Sequence, residues 1–390
     1  MRLCIRFAAL LPAVVSAALI GLAPGFGAGP ALAQGTGQGT GQGAGQAAGA
    51  AQVPALSSGT TSVFLPYLNA PLGAAPLNRP PALGLSFGGP MLRTVMDTGS
   101  TGVVVSARSI PDVDKLPSLG PGSLTYTSSG RIMTGTWVVT PVTISGPNGA
   151  QVTTRPMPVL AVRAVTCLAN ARRCRARTNP SGIAMMGVGF ARQGDRQAQS
   201  TPDHNPFLML ETMGTPEAPG TMRRGYVVTR RGVALGLTPE VASGFSFVKL
   251  EKSPQFPDWA APSACLSLGG RLPPTCGNLL VDTGVAVMYL TLPPAQLDGQ
   301  TVAGPAGKPV LKPGTPLQLM LGRGGGAPSY SITAGTPAPM APREIILVPR
   351  PPDRTFVNTS VRLLNGFDYL YDADGGFVGF RPRAAAPGGN

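Results

Sequence analysis

The sequence predicts an all-β protein made of two related lobes, and three observations support this prediction. Glycine and proline account for 53 and 43 of the 390 residues, whereas charged residues make up only 12%. This composition has too many helix breakers for long helices and too few charges for a coiled coil. Short β-prone segments follow one another from residue 54 onward, and one polar triplet occurs in both halves of the chain.

The β-prone segments are short apolar runs bounded by Gly, Pro, Ser or Asn, a pattern typical of strands joined by turns. Helical periodicity is weak, and only short turns are expected near residues 207–211 and 359–364. The predicted strands fall within residues 93–107, 123–145, 159–167, 225–237, 245–249, 279–292, 344–348 and 369–380.

An internal duplication is the strongest local signal. The triplet Asp-Thr-Gly begins at Asp97 and occurs again, 185 residues later, at Asp282. Each triplet follows one apolar run and precedes another, so each aspartate is predicted at the end of a buried strand. A buried carboxylate is costly unless it is paired or hydrogen-bonded. Two such positions therefore indicate one half of a shared site in each lobe.

Four segments, taken in order, resemble the pepsin-like aspartic endopeptidases. Residues 97–102 resemble the first active-site turn of that family, and residues 123–135 resemble its flap hairpin with a tyrosine. Residues 182–190 resemble the segment that closes the first lobe, and residues 371–380 resemble the C-terminal strand pair. The resemblance implies a bilobal pepsin-like acid protease fold, in which the active site lies in the cleft between two related β-lobes.

The resemblance also implies that Asp97 and Asp282 form the catalytic dyad of an aspartic-type endopeptidase with polypeptide substrates. Two adjacent carboxylates do not both ionise easily, so such a pair shares a proton. The ionised member takes a proton from a water molecule, and the protonated member donates to the scissile carbonyl. This chemistry requires no histidine and no cofactor, which suits a chain with a single histidine.

Six further residues in the two active-site turns and the flap are expected to support the dyad by the same resemblance: Thr98, Gly99, Ser100, Tyr126, Thr283 and Gly284. The two threonines would lock the turns across the lobe interface, and the two glycines would let the backbone approach closely. The serine would hydrogen-bond its aspartate, and the flap tyrosine would exclude water.

Three positions depart from the family pattern. Val285 replaces a hydroxyl residue after the second triplet, so Asp282 loses a hydrogen-bond donor and its pKa is expected to rise. Val104 replaces the usual tryptophan of the first lobe, and Trp137 is the candidate substitute partner for the flap tyrosine. Residues 358–360 (Asn-Thr-Ser) take the place of an apolar-apolar-Gly segment and contain no glycine.

Two other functions are compatible with the sequence. A catalytically impaired pepsin-like module that binds peptide or polymer in its cleft would have the same fold, because a fold does not determine an activity. A basic exported protein that adheres to an anionic surface through its arginines would show salt-sensitive retention.

The N-terminal residues have the features of a secretory signal peptide, predicted over residues 1–33. A basic start precedes an apolar run over residues 8–22, and a small-residue cleavage site lies at residues 31–33. A membrane anchor is the alternative, although two prolines interrupt or border the run. We expect an exported bacterial protein, periplasmic or secreted, with no membrane span after signal removal.

Four further segments are predicted from composition and motif positions. Uncharged repeats of Gly, Thr, Ala and Gln indicate a flexible linker over residues 34–53. The first lobe, with the flap, is assigned to residues 54–240 and the second to residues 241–384. Residues 385–390 form a flexible tail.

Four cysteines lie beyond the predicted signal: Cys167, Cys174, Cys265 and Cys276. An even number in an exported protein indicates two disulfides, for which three connectivities are possible. The two pairs that are local in sequence are the simplest connectivity. A zinc site is the rival interpretation, but no pair has C-x-x-C spacing.

The formal net charge is +14, yet only five of the 31 basic residues are lysine. This bias is typical of GC-rich coding rather than of selected phosphate contacts, so no nucleic-acid partner is expected. One histidine cannot build a multi-histidine site, and we expect no metal, no cofactor and a monomer. A solvated loop or an anion-binding surface would explain the arginine cluster Arg163, Arg172, Arg173, Arg175 and Arg177.

Overall fold

The computed structural model describes residues 53–383, apart from residues 57–58, 127–128, 170, 172–173, 196, 325–326 and 350–353. The described residues belong to one of the two units into which the chain divides, Ala50–Asn390. The predicted signal peptide, all but the last residue of the predicted linker and the predicted tail lie outside them. The described part is almost entirely β-structure, as predicted.

The strands are short and follow one another in chain order. They are β1 Val63–Pro66, β2 Ala82–Ser86, β3 Leu92–Asp97, β4 Thr101–Ser106, β5 Ser118–Tyr126, β6 Arg131–Thr140, β7 Thr143–Ser145, β8 Gln151–Thr153, β9 Met157–Cys167, β10 Arg177–Thr178, β11 Ala184–Val188, β12 Arg223–Val228, β13 Gly232–Leu237, β14 Ser246–Lys249, β15 Ser263–Leu268, β16 Thr275–Leu280, β17 Met288–Thr291, β18 Thr301–Ala303, β19 Pro309–Leu311, β20 Pro316–Met320, β21 Ser329–Thr333, β22 Ile345–Leu347, β23 Phe356–Asn358, β24 Phe367–Asp372 and β25 Phe377–Pro382.

The helices of the described residues are single turns. The α-helix is α1 Pro294–Leu297. The 3₁₀ turns are Ala107–Ser109, Val113–Lys115, Gln193–Asp195, Pro202–His204, Glu211–Met213, Pro305–Gly307 and Val361–Asn365. Two of these 3₁₀ turns, at residues 211–213 and 361–365, overlap the two turns predicted from the sequence.

The two large sheets correspond strand for strand. The first has the order β5-β6-β9-β4-β11-β3-β2-β7-β8, with β10 paired to β9, and the second has the order β18-β19-β22-β17-β23-β16-β15-β20-β21. In each sheet the strand before the Asp-Thr-Gly triplet pairs in parallel with a late strand, β11 or β23. That late strand pairs antiparallel with the strand after the triplet. The duplication predicted from two triplets therefore extends through both lobes.

A third sheet of six strands draws on the N-terminal, middle and C-terminal segments, in the order β1-β13-β12-β24-β25-β14. Its aromatic side chains pack against the first lobe. Phe190 stacks on Tyr371 with ring centroids 4.1 Å apart, and the Tyr226 hydroxyl donates to the carbonyl of Val188 at 2.5 Å. These contacts fix the end of β11, which lies next to the first Asp-Thr-Gly turn.

The predicted hairpins and disulfides are present. Strands β5 and β6 form the flap hairpin, and β6 continues to pair with β9 over ten residue positions, from Thr140↔Met157 to Arg131↔Cys167. Cys167 is bonded to Cys174, and Cys265 is bonded to Cys276 on the neighbouring strand. Because all four cysteines are oxidised, the rival zinc interpretation is wrong.

A buried ion pair holds β12 against β24. Arg223 Nε donates to Asp372 Oδ1 at 3.0 Å and Nη2 donates to Oδ2 at 2.9 Å, and the Asp372 side chain is fully buried. The next residue on β12, Arg224, pairs with Asp374, whose side chain is 30% exposed. The two pairs are neighbours with different burial.

We predict that Asp372→Asn lowers the free energy of unfolding by about 3–5 kcal/mol, because it leaves the buried Arg223 guanidinium without its counter-ion. The matched change Asp374→Asn, which removes the more exposed pair, should cost no more than about 1 kcal/mol. Urea unfolding of both variants at neutral pH measures the difference. Equal losses of unfolding free energy in the two variants would contradict the role assigned to burial of the ion pair.

Candidate active site

The two Asp-Thr-Gly turns meet through reciprocal hydrogen bonds between their threonines. The backbone N–H of Thr98 donates to Thr283 Oγ1 at 3.0 Å, and the N–H of Thr283 donates to Thr98 Oγ1 at 3.0 Å. Each hydroxyl also donates to a backbone carbonyl at the strand end of the other lobe. Thr98 donates to Val281 O at 2.6 Å, and Thr283 donates to Met96 O at 2.8 Å. Both side chains are buried, so each turn satisfies the polar groups of the other.

The glycines of the two triplets allow the carboxyl groups to meet. A Cβ atom on Gly99 would lie 2.4 Å from the Asp282 carboxyl carbon, and one on Gly284 would lie 2.4 Å from Asp97 Oδ1. No side chain fits at such distances, so glycine is required at both positions. Each aspartate thus lies against the glycine of the other triplet, and the charge of Asp97 acts on Asp282.

Asp97 is held by its own turn. The N–H of Gly99 donates to Oδ1 at 2.7 Å, and the hydroxyl of Ser100 donates to Oδ2 at 2.6 Å. Asp97 is 7% exposed and Ser100 is 2% exposed. The contact expected of Ser100 from the sequence is therefore present.

Asp282 is held differently, and the sequence prediction missed the second donor. The N–H of Gly284 donates to Oδ1 at 2.8 Å, which matches the bond in the first lobe. Val285 offers no hydroxyl, as predicted, but Asn358 Nδ2 donates to Oδ2 at 2.6 Å. The donor comes from the end of β23 instead of from the turn.

The pKa of Asp282 is raised above its usual range, chiefly by burial and then by the charge of Asp97 beside it. The hydrogen bond from Asn358 and the guanidinium of Arg192 act in the opposite direction, and they do not cancel the rise. The expected cause of the rise, a missing hydrogen-bond donor, does not apply, because Asn358 supplies a donor. The rise follows instead from burial and from the charge of Asp97.

The flap places Tyr126 over the first turn. Its hydroxyl is buried beside Ser100, and it makes no hydrogen bond of normal geometry to the described residues. Burial and the nearby Asp97 carboxylate raise the pKa of Tyr126 well above its ordinary value, so the hydroxyl remains protonated. It is available as a hydrogen-bond donor at the edge of the cleft.

Trp137 is not bonded to this tyrosine among the described residues. Its ring instead packs edge-to-face on His204, with centroids 5.1 Å apart. The His204 side chain is only 15% exposed, and Thr201 Oγ1 lies 3.0 Å from its Nδ1. The turn that carries His204 therefore packs against the flap strand β6.

A polar segment after β11 contacts the first active-site turn and was not predicted from the sequence. Arg192 Nε donates to the carbonyl of Gly99 at 3.0 Å, and Thr101 N donates to Gln197 Oε1 at 3.1 Å. The Thr101 hydroxyl lies 2.7 Å from Ser200 Oγ. Buried side chains of this segment therefore hold the first turn in place, and Arg192 brings a positive charge close to Asp282.

These groups open into a cleft of about 580 Å³. Its floor contains both aspartates, the first lobe contributes the flap tyrosine, Met185, Arg192 and Gln197, and the second lobe contributes a mainly apolar wall. That wall includes Leu280, Val285, Tyr289, Pro309, Ile346, Leu347, Val348, Pro349 and Phe356, with Lys308 at one side. The cleft has the size of a typical ligand-binding pocket, and its lining combines an apolar wall with polar and charged groups.

Two related β-lobes around a cleft with paired aspartates define the pepsin-like acid protease fold. Among solved structures, the chain is similar to the aspartic proteinase from Irpex lacteus, with a TM-score of 0.52 and 14% sequence identity over 83% of this chain and 98% of that one. No protein-family model and no curated protein matches the sequence. At this identity the likeness establishes the fold alone.

The threonine contacts generate a prediction about stability. Thr283→Val leaves the buried N–H of Thr98 and the carbonyl of Met96 without partners, so the free energy of unfolding should fall by about 2–4 kcal/mol. The double variant Thr98→Val/Thr283→Val should lose less than the sum of the single variants, because the two hydroxyls contact each other at 3.3 Å and either change disturbs the same pair of turns. Urea unfolding of the four proteins completes the cycle.

Thr291→Val is the matched control, because its buried hydroxyl donates to Val348 within the second lobe only. The loss of unfolding free energy in Thr291→Val should add to the loss in Thr98→Val when the two changes are combined. Additivity between positions 98 and 283 would contradict the coupling of the two turns.

A second prediction concerns pH. Because the folded-state pKa of Asp282 is raised, the native state binds more protons than the unfolded state, and stability falls as pH rises from about 4 through that pKa. Asp97→Asn removes the neighbouring charge and lowers the pKa of Asp282. For each pKa unit of that decrease, the free energy of unfolding of the variant should exceed that of the wild type by about 1.4 kcal/mol at pH 8. Near pH 3 this effect should contribute nothing.

Thermal unfolding from pH 3 to 8 measures the effect, with the exposed Asp298→Asn as the control for loss of one aspartate. A gain for Asp97→Asn that is independent of pH would contradict the effect of the Asp97 charge on the pKa of Asp282.

Proposed function

We propose that the protein is an exported aspartic endopeptidase, which hydrolyses peptide bonds with a water molecule activated by Asp97 and Asp282. The observation that carries the proposal is the position of the two carboxyl groups at the floor of one cleft, each against the glycine of the other triplet. Carboxyl groups that share a proton provide a base and an acid at the same place.

The assignment of roles follows from the position of the proton. Asp282 holds the shared proton, because burial and the neighbouring charge raise its pKa. Asp97 then takes a proton from the water between the carboxyl groups, while Asp282 donates to the carbonyl oxygen of the peptide bond as the tetrahedral intermediate forms. Collapse of the intermediate returns a proton to the leaving amine, and each carboxyl group recovers its first state.

The other residues predicted from the sequence support this reaction by position. Thr98 and Thr283 keep the carboxyl groups aligned, and Ser100 orients the Asp97 carboxylate. Tyr126 lines the cleft beside Ser100, and we propose that its hydroxyl donates to a bound peptide and helps to exclude water. Alignment of this kind provides much of the rate enhancement in acid–base catalysis.

Export is part of the proposal. Two disulfides are typical of proteins that fold outside the reducing cytoplasm. Among the described residues, no helix has the length and apolar character to cross a membrane. We propose a signal peptide over residues 1–33, a linker over 34–53, lobes over 54–240 and 241–384, and a tail over 385–390.

We predict that the protein lacking residues 1–33 cleaves a denatured polypeptide and that pepstatin inhibits it. Asp97→Asn and Asp282→Ala should each reduce kcat/KM by about 10²- to 10⁴-fold, because each removes one acid–base partner. The exposed Asp298→Asn should retain wild-type activity. The rate should fall with rising pH only above the usual range of a carboxyl group, since Asp282 must keep its proton and its pKa is raised.

The alternative is a catalytically impaired module that binds peptide in the same cleft. Folded protein that binds pepstatin or a peptide but cleaves nothing from pH 3 to 8 would support this alternative. Cleavage that survives both dyad substitutions would reject the assignment of the dyad.

A further inference from the structure

The two lobes supply the second hydrogen bond to their aspartates in different ways. In the first lobe the donor is Ser100, three residues after Asp97 in the same turn. In the second lobe the equivalent position is Val285, which has no donor. The equivalent bond to Asp282 comes from Asn358 Nδ2 at 2.6 Å.

The duplicated topology explains why residue 358 can reach the dyad. Strand β23 lies between β16 and β17, and Asn358 is the register partner of Leu280 on one side and of Tyr289 on the other. The corresponding position in the first lobe is Met185, which pairs with Val95 and Val104. Both side chains face the cleft, but only the asparagine can donate a hydrogen bond to a carboxylate.

The amide of Asn358 is oriented by a second contact. Its Oδ1 accepts a hydrogen bond from the N–H of Ser360 at 3.0 Å, so Nδ2 must face Asp282. The side chain is 5% exposed and has no room to turn to solvent. Asn358 also begins an Asn-Thr-Ser sequon, and this burial makes its amide inaccessible to glycosylation in the folded chain.

We propose that Asn358 is a positioning residue for the dyad, which replaces the hydroxyl missing at residue 285 by orienting the Asp282 carboxyl group towards Asp97. This inference rests on the proposed function, but it makes a separate claim about the carboxyl group itself. Without the Asn358 amide, Asp282 would keep only the backbone hydrogen bond from Gly284, and its carboxyl group could rotate away from Asp97.

Several charged or titratable groups face Asp282 besides this amide. Asp97 lies opposite on the first turn, and Arg192 approaches from the segment after β11. Burial, and after it the charge of Asp282, raises the pKa of Tyr289 on β17, and Tyr126 lies above Asp97 on the flap. Lys308 lines the same cleft. Asn358 donates to Asp282 through a neutral amide, and this bond stabilises the ionised form of Asp282.

The test compares Asn358→Leu with the double variant Asn358→Leu/Val285→Thr. Asn358→Leu should lower kcat by about 10- to 100-fold with little change in KM, because it removes one hydrogen bond to an acid–base group and not a substrate contact. It should also move the high-pH limb of the rate profile to higher pH, since the ionised form of Asp282 loses its donor. Threonine at residue 285 has nearly the shape of valine and places a hydroxyl where the first lobe has one, so the double variant should recover most of both changes.

The titration of Asp282 is followed independently by carboxyl ¹³C NMR, with the signal assigned by its loss in Asp282→Asn. Its midpoint should rise in Asn358→Leu and return towards the wild-type value in the double variant. Asn365→Leu is the matched control, because this asparagine bonds backbone groups of Leu77 and Pro339 away from the cleft. It should leave both the titration and the pH profile unchanged.

The two proposals fail in different ways. A wild-type protein without proteolytic activity, but with the predicted NMR shifts, would reject the proposed function and support the role of Asn358. An Asp282 midpoint that is the same in the wild type and in folded Asn358→Leu would overturn that role. Loss of activity that threonine at residue 285 does not recover would also overturn it.

Discussion

The reciprocal hydrogen bonds between Thr98 and Thr283 are the contact on which the cleft depends. Each threonine satisfies a buried N–H of the opposite turn, so neither turn can complete its hydrogen bonding alone. The same contact brings Gly99 and Gly284 against the opposing carboxyl groups, where no Cβ atom fits. Burial of two acids therefore follows from the way in which the lobes join, and the raised pKa of Asp282 is a direct consequence.

The two halves share a topology and differ in chemistry. Ser100 and the segment after β11 surround the first turn with polar groups, whereas the second turn lies beside the apolar wall of the cleft. Asn358 is the polar residue of that side that donates to Asp282, whose pKa is raised. The two carboxyl groups therefore lie in different environments, although the topology around them is duplicated.

The fold class, the hairpins and the positions of the two aspartates could be predicted because they depend on local patterns. Turn residues mark strand ends, and each triplet lies between apolar runs. The bond from Asn358 could not be predicted in this way, since it joins residues 76 positions apart and depends on the register of β23. The contact between Arg192 and Gly99 is non-local in the same sense. An asparagine where an apolar residue was expected was the available signal.

The pairing of β6 with β9 has a mechanical consequence for the flap. Because this pairing reaches Arg131, next to the tip, the hairpin is backed by a third strand along its length, and a disulfide at Cys167 closes the loop beyond. Such a flap cannot swing about a hinge at its base without breaking a row of hydrogen bonds. A displacement of this hairpin that kept its hydrogen bonds would have to bend β5, β6 and β9 together.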